Sequence, residues 1–272
     1  MDITQFYAKK DEKPLDNLVT DGGLCTIFGT IACVGDSLSS GELQSLDDNG
    51  KMGYHDIFYY SWGQYMARAM GNTVYNFSKG GMNAKNYCEG FAESMDFWNP
   101  KLAAQCYIIA LGVNDVSDVL RGEIELGDET DIDLNDWHNN KKTVFGYYGQ
   151  IIQRYKEIQP KARFFLMNMP RRPDNVGDSK KEEKYDEFRE ILFRVAKLFD
   201  FTYVIDLRKY SPVHDDEFFK NFMLGGHMNP AGYMLTAKMV MSYIDYIIRN
   251  NPEDFTQAGF IGTPWHNADA KW

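Results

Sequence analysis

The chain has 272 residues, 44% of them hydrophobic and 15% aromatic, which suffices for a sizeable packed core and excludes a disordered polypeptide. Lys and Arg number 29 against 39 Asp and Glu, and the net charge of −10 works against nucleic acid or anionic lipid as a main partner. No run of about 18 apolar residues occurs, and the N-terminus lacks a basic stretch followed by an apolar one, so the chain reads as soluble and cytoplasmic, without membrane insertion.

Residues 1–24 read as an N-terminal extension closing on the turn Asp21-Gly22-Gly23. Residues 26–34 form an apolar run that stops at Gly35-Asp36-Ser37, the pattern of a buried strand with a polar turn at its carboxyl end. A polar, glycine-containing stretch then runs through Gly53, and residues 55–70, aromatic and free of proline, predict a helix. Residues 73–77 and 106–111 predict two further strands, ending at Lys79-Gly80-Gly81 and Gly112-Val113-Asn114-Asp115. Residues 116–142 hold eight carboxylates and few aliphatics and read as an acidic, solvated insertion. Helices are expected over 143–159, 179–199 and 230–248, with strands over 163–169 and 202–207. Residues 252–272, with Trp265, His266 and Trp272, form a C-terminal tail.

Strand and helix thus alternate five times, and the strands are apolar enough to be buried on both faces. That is the signature of an α/β domain with a five-stranded parallel, doubly wound sheet, and one domain over 1–272 is the economical division. Cys25, Cys33, Cys88 and Cys106 form no Cys-x-x-Cys pair and read as buried free thiols rather than a disulfide framework or metal site.

In a parallel sheet the carboxyl ends of the strands face one side, so Asp36-Ser37, Gly80-Gly81 and Asn114-Asp115 can meet in one cleft. Ser37 alone is as well explained as part of a helix cap, but a hydroxyl beside glycine N–H groups and an asparagine amide is what acyl transfer requires. His227, in Gly225-Gly226-His227-Met228-Asn229-Pro230, sits in a glycine-flanked loop before the last helix, where an imidazole can accept a serine proton near neutral pH. His55, His138, His214 and His266 have no such companions. Trp62, Trp98, Trp137 and Tyr60 suit either a core or a sugar-stacking surface.

Gly35-Asp36-Ser37-Leu38, a glycine after the second strand, Gly112-x-Asn114-Asp115, and His227 with Asn229-Pro230-x-Gly232-Tyr233 resemble, in order, the four blocks of the SGNH, or GDSL-type, hydrolases. The resemblance implies a flavodoxin-like three-layer α/β/α sandwich and ester hydrolysis through an acyl-enzyme, without metal or cofactor. It implies Ser37 as nucleophile, the N–H groups of Ser37 and Gly81 and the side chain of Asn114 as oxyanion donors, and His227 as base, with Gly80 an alternative to Gly81. Asp36 and Asp115 are expected to hold their turns through local hydrogen bonds. The family places an Asp three residues before the histidine, and here Leu224 stands there; Asp215, Asp216, a backbone carbonyl or no group at all remain open as its substitute. Three functions stay open: a serine esterase for small acyl esters such as O-acetyl groups on carbohydrate, a non-catalytic binding protein on the same fold, and a thioesterase or lysophospholipase.

Overall fold

The computed structural model describes residues 3–173 and 178–269, so Trp272 at the end of the tail lies outside the described residues. Strand β1 (Thr30–Gly35) is followed by the short helix α1 (Ser37–Ser40) and an antiparallel hairpin, β2 (Glu42–Leu46) and β3 (Met52–Asp56). Helix α2 (Trp62–Met70) leads to β4 (Thr73–Ser78), β5 (Cys106–Ala110) and α3 (Val113–Arg121). Then come α4 (Val144–Ile158), β6 (Arg163–Met167), α5 (Ser179–Ala196), β7 (Thr202–Ile205) and α6 (Asp216–Phe222). A two-residue ladder of β8 (Met223–Leu224) and β9 (His227–Met228) precedes the last long helix, α7 (Pro230–Asn250).

The five parallel strands lie in the order β4-β1-β5-β6-β7. This is the doubly wound, flavodoxin-like order, in which β1 lies between β4 and the central β5 and the chain reverses direction across the sheet beside it. Side chains alternate between two buried layers, as the period of two in a strand demands. Ala32, Val34, Tyr107, Ile109, Phe164 and Leu166 face a core completed by Phe145, Tyr148 and Ile152 of α4 and Phe188 and Leu192 of α5. Ile31, Cys33, Cys106, Ile108, Phe165 and Met167 face the other, completed by Trp62 and Met66 of α2 and Tyr233, Val240 and Ile244 of α7. Each such fully buried side chain contributes about 1.5–3 kcal/mol, which is why runs apolar on both faces specify this sheet. All four cysteines are buried and free.

Several expectations change. Residues 23–27 form a 3-10 turn, so the first strand begins at Thr30 and not at residue 26. The polar, glycine-containing stretch through Gly53 belongs to the β2–β3 hairpin, and the helix expected from residue 55 starts at Trp62, with His55 on β3. The acidic insertion is not simply solvated: its first part belongs to α3, and Val116, Leu126, Asp131 and Ile132 are buried against the α4 side of the sheet. Among the described residues no helix is long and apolar enough to cross a membrane.

Candidate active site

Four strand-end and loop segments converge at the carboxyl edge of the sheet. Ser37 is the first residue of α1, behind Asp36, whose Oδ1 accepts from the Leu38 N–H at 3.0 Å and caps the helix. The turn needs glycine before it, because a Cβ at Gly35 would stand 2.2 Å from Ser39 Oγ. The Ser37 N–H and hydroxyl have no partner among the described residues.

The second turn offers an N–H at Gly81, whose φ of +75° opens it toward empty space and whose N–H is likewise unpartnered. The N–H of Gly80, by contrast, is taken by Asp56 Oδ2 at 3.2 Å. Gly81, the donor the resemblance implied, thus keeps its N–H free, while Gly80, the alternative, does not. Asn114, in the first turn of α3, gives one amide hydrogen to Met82 O at 2.9 Å and keeps the other. Ser37, Asn114 and His227 line one cleft of about 320 Å³, while no hydrogen bond joins Ser37 to His227.

Asp36 and Asp115 lie beneath these turns, each 1% exposed. Burial, helped at Asp36 by the charge of Asp115, pushes both carboxyls up to about 7. Asp36 holds its own turn, as expected. Asp115 does more than that: its Oδ1 accepts from the Ala84 N–H at 2.8 Å and so ties the third turn to the segment after the second.

His227 does not sit in a free loop but on β9, opposite Leu224 across a Gly225-Gly226 turn. Its ring is held by the β2–β3 hairpin: Nδ1 lies 2.8 Å from Gln44 Nε2, and Nε2 lies 3.0 Å from Glu42 Oε1. Burial lowers the imidazole pKa, and the carboxylate of Asp56 acts against this. Burial, with Asp56 beside it, pushes the Glu42 carboxyl up. Neither Asp215 nor Asp216 takes the part that Leu224 cannot: Asp215 Oδ1 caps α6 through the Phe218 N–H at 2.9 Å, and Asp216 is exposed.

His214 also lines the cleft, which sequence reasoning missed. It is buried flat on Phe218, ring centroids 3.7 Å apart, and burial with the nearby Arg172 charge pulls its pKa down to about 4. Trp62, Trp98, Trp137 and Tyr60 do not line the cleft; Trp62 is core, and Trp98 and Trp137 flank the Arg154 guanidinium.

The model of the GDSL-like lipase/acylhydrolase family matches residues 33–235, a span holding all four segments. The chain belongs to this family. Solved structures share its fold. A family two carbohydrate esterase from Clostridium thermocellum, in complex with cellohexaose, superposes with a TM-score of 0.55 at 14% identity, over 87% of this chain and 66% of that one. A Lactobacillus plantarum protein gives 0.55 at 14% identity, over 80% and 97%. An acetyl xylan esterase, AlAXEase, gives 0.50 at 15%, over 79% and 99%. No curated protein matches by sequence. At these identities the likeness of the GDSL-like chain to its neighbours extends to the fold, and the chemistry has to be argued from the residues.

Proposed function

We propose that the protein is a serine esterase that hydrolyses small acyl esters, O-acetyl groups on carbohydrate foremost. Ser37 Oγ attacks the acyl carbon and His227 takes the serine proton. The N–H groups of Ser37 and Gly81 and the free amide hydrogen of Asn114 receive the oxyanion. His227 returns the proton to the departing alcohol, and water, activated by the same imidazole, releases the acid. The reaction as written needs no metal or cofactor.

The observation that carries this reading is the single cleft lined by Ser37, whose N–H and hydroxyl are unpartnered among the described residues, His227 and Asn114. The family's hydrolase chemistry and the names of two fold neighbours, a carbohydrate esterase and an acetyl xylan esterase, support the choice of substrate. The cleft is lined by Arg172, Asp178, Lys181 and Glu182 as well as by apolar Leu38, Met169 and Met228, so a chain-length series of esters decides between a small acyl group and a long one.

Turnover of p-nitrophenyl acetate and of a panel of acetylated sugars should fall about 10⁴-fold or more in Ser37→Ala, with the circular dichroism spectrum unaltered. Unchanged turnover would exclude the serine mechanism. One observation favours a second reading, a binding protein that keeps the cleft: Ser37 and His227 are not hydrogen-bonded. A fluorophosphonate separates the two, since it adds covalent mass at Ser37 only in a working site.

A further inference from the structure

Leu224, where the family carries its aspartate, is 49% exposed and has no polar atom to offer the imidazole. Both ring nitrogens of His227 are nonetheless engaged, and both partners come from β2, more than 180 residues earlier in the chain. We propose that the β2–β3 hairpin takes over the task of the absent carboxylate: Gln44 is the positioning residue on Nδ1 of His227, and Glu42 supplies the negative charge beside the ring. The role presupposes ester hydrolysis at Ser37.

In the resting state Gln44 is oriented by the turn. Its Oε1 accepts from the Gly226 N–H at 2.9 Å, which turns its Nε2 toward the histidine. Nδ1 therefore accepts, and the neutral ring at rest carries its hydrogen on Nε2, facing Glu42 Oε1 at 3.0 Å. Glu42 has little freedom: its side chain is 11% exposed, its backbone oxygen accepts from Tyr233 Oη at 2.7 Å, and its other carboxylate oxygen lies against Gly80. A carboxylate held this dry offsets the positive charge that forms when the ring takes a proton.

Taking the Ser37 proton requires the opposite tautomer: the hydrogen on Nε2 passes to water and Nδ1 takes one from water, which leaves the lone pair on Nε2 and the hydrogen on Nδ1. Glutamine serves both states. A half-turn of its amide presents Oε1 to Nδ1–H, and the exposed Gly226 then gives its N–H to water. The reacting proton passes from Ser37 Oγ to Nε2 and on to the leaving alcohol, while Glu42 is displaced from Nε2 but stays beside the ring. A neutral amide in the third position is the arrangement of the Cys-His-Asn proteases.

The other groups facing the ring are Asp56 of β3, whose charge raises the imidazole pKa, and Tyr54, edge-on at 6.1 Å. Arg172, Lys181, Asp178, Glu182 and His214 line the same cleft, so it holds charges of both signs.

The test is kcat and KM for p-nitrophenyl acetate as a function of pH in three variants. Gln44→Ala should lose about 10- to 100-fold in kcat with KM within about twofold. Gln44→Glu should keep kcat and move the acidic limb of kcat/KM to higher pH, because a carboxylate on Nδ1 favours the imidazolium. Glu42→Gln should lower kcat and move the limb to lower pH. An unchanged kcat in Gln44→Ala, or a limb that stays put in both Gln44→Glu and Glu42→Gln, overturns the assignment. If the alanine variant does not fold, the two near-isosteric variants decide alone. Fluorophosphonate labelling of the wild type keeps the failures apart: an unlabelled Ser37 sinks the esterase, whereas a labelled Ser37 with unmoved variants sinks only the role of the hairpin.

Discussion

Asp36 shows how a residue next to a nucleophile can serve the fold at some cost in stability. One of its oxygens caps α1 through Leu38, and the other is buried without a partner. Burial, aided by Asp115, pushes its pKa from 3.8 to about 7. The sign of the linkage follows. Between about pH 4 and 7 the folded chain keeps a proton that the unfolded chain has released, so stability is highest below the unfolded pKa and is lost as pH rises through the folded one. Asp36→Asn cannot ionise. The melting midpoint of that variant relative to wild type should therefore climb between pH 4 and 7, by about 2 °C for each kcal/mol of charge burial removed. A difference that stays flat across that range would mean that Asp36 is ionised throughout in the folded chain. The sequence did mark Asp36 as a turn holder, since an Asp before a helix is a capping signal that needs only local contacts. Its pKa, which depends on what buries it, was not readable.

At the level of elements, strands and long helices were legible because each carries its own period: continuous apolar runs for buried strands and a 3.6-residue repeat for α4, α5 and α7. The β2–β3 hairpin was not, because its side chains are mostly exposed on both faces and so lack an apolar alternation. The one local signal was Asn49-Gly50 in the loop that joins Leu46 to Met52, the dipeptide most typical of hairpin turns. Without the hairpin, Glu42 and Gln44 could not be connected to His227. The base of the hairpin depends on Gly41, at φ +78°, where a Cβ would stand 2.6 Å from Ile57 O and 2.8 Å from Ser61 N, both backbone atoms that cannot turn aside. Gly41→Ala should cost about 1–2 kcal/mol for the left-handed backbone alone, shift β2, and lower kcat on p-nitrophenyl acetate at least about tenfold while the sheet persists by circular dichroism. Gly50→Ala, at the tip with nothing within 4 Å, should cost a similar backbone strain and leave kcat at the wild-type value. Equal kcat in the two variants would detach the hairpin from the chemistry.

For the whole molecule, the alternation of strands and helices was enough to infer the sheet, since short right-handed crossovers leave few topologies to choose among. What the N-terminal segment does was not legible, because its partners lie at the far end of the chain. It runs along α7. Val19 N–H donates to Ser242 Oγ at 2.9 Å, Leu24 N–H to Asp245 Oδ1 at 2.8 Å, and Tyr246 Oη to Glu12 O at 3.1 Å. Arg249 joins Glu12 in a two-pronged pair at 2.6 and 2.9 Å and Asp245 at 2.7 Å, with all three side chains nearly buried. The guanidinium holds the Glu12 carboxyl down at about 2, against 4.5 for the free group. Breaking one side of such a buried pair costs about 3 kcal/mol, so Glu12→Ala should lower the melting midpoint by roughly 6–12 °C near neutral pH. Because the native pKa is depressed, this contribution is complete above about pH 5 and is lost as pH falls through 4.5 toward 2, so the gap between wild type and variant should close over that range. Arg249 lies at the opposite end of α7 from the His227 ladder, about 30 Å away along the helix axis, and kcat at 25 °C should therefore be unchanged in Glu12→Ala. A gap that persists at pH 2 would show that the segment is held by its backbone contacts to α7 and not by the ion pair.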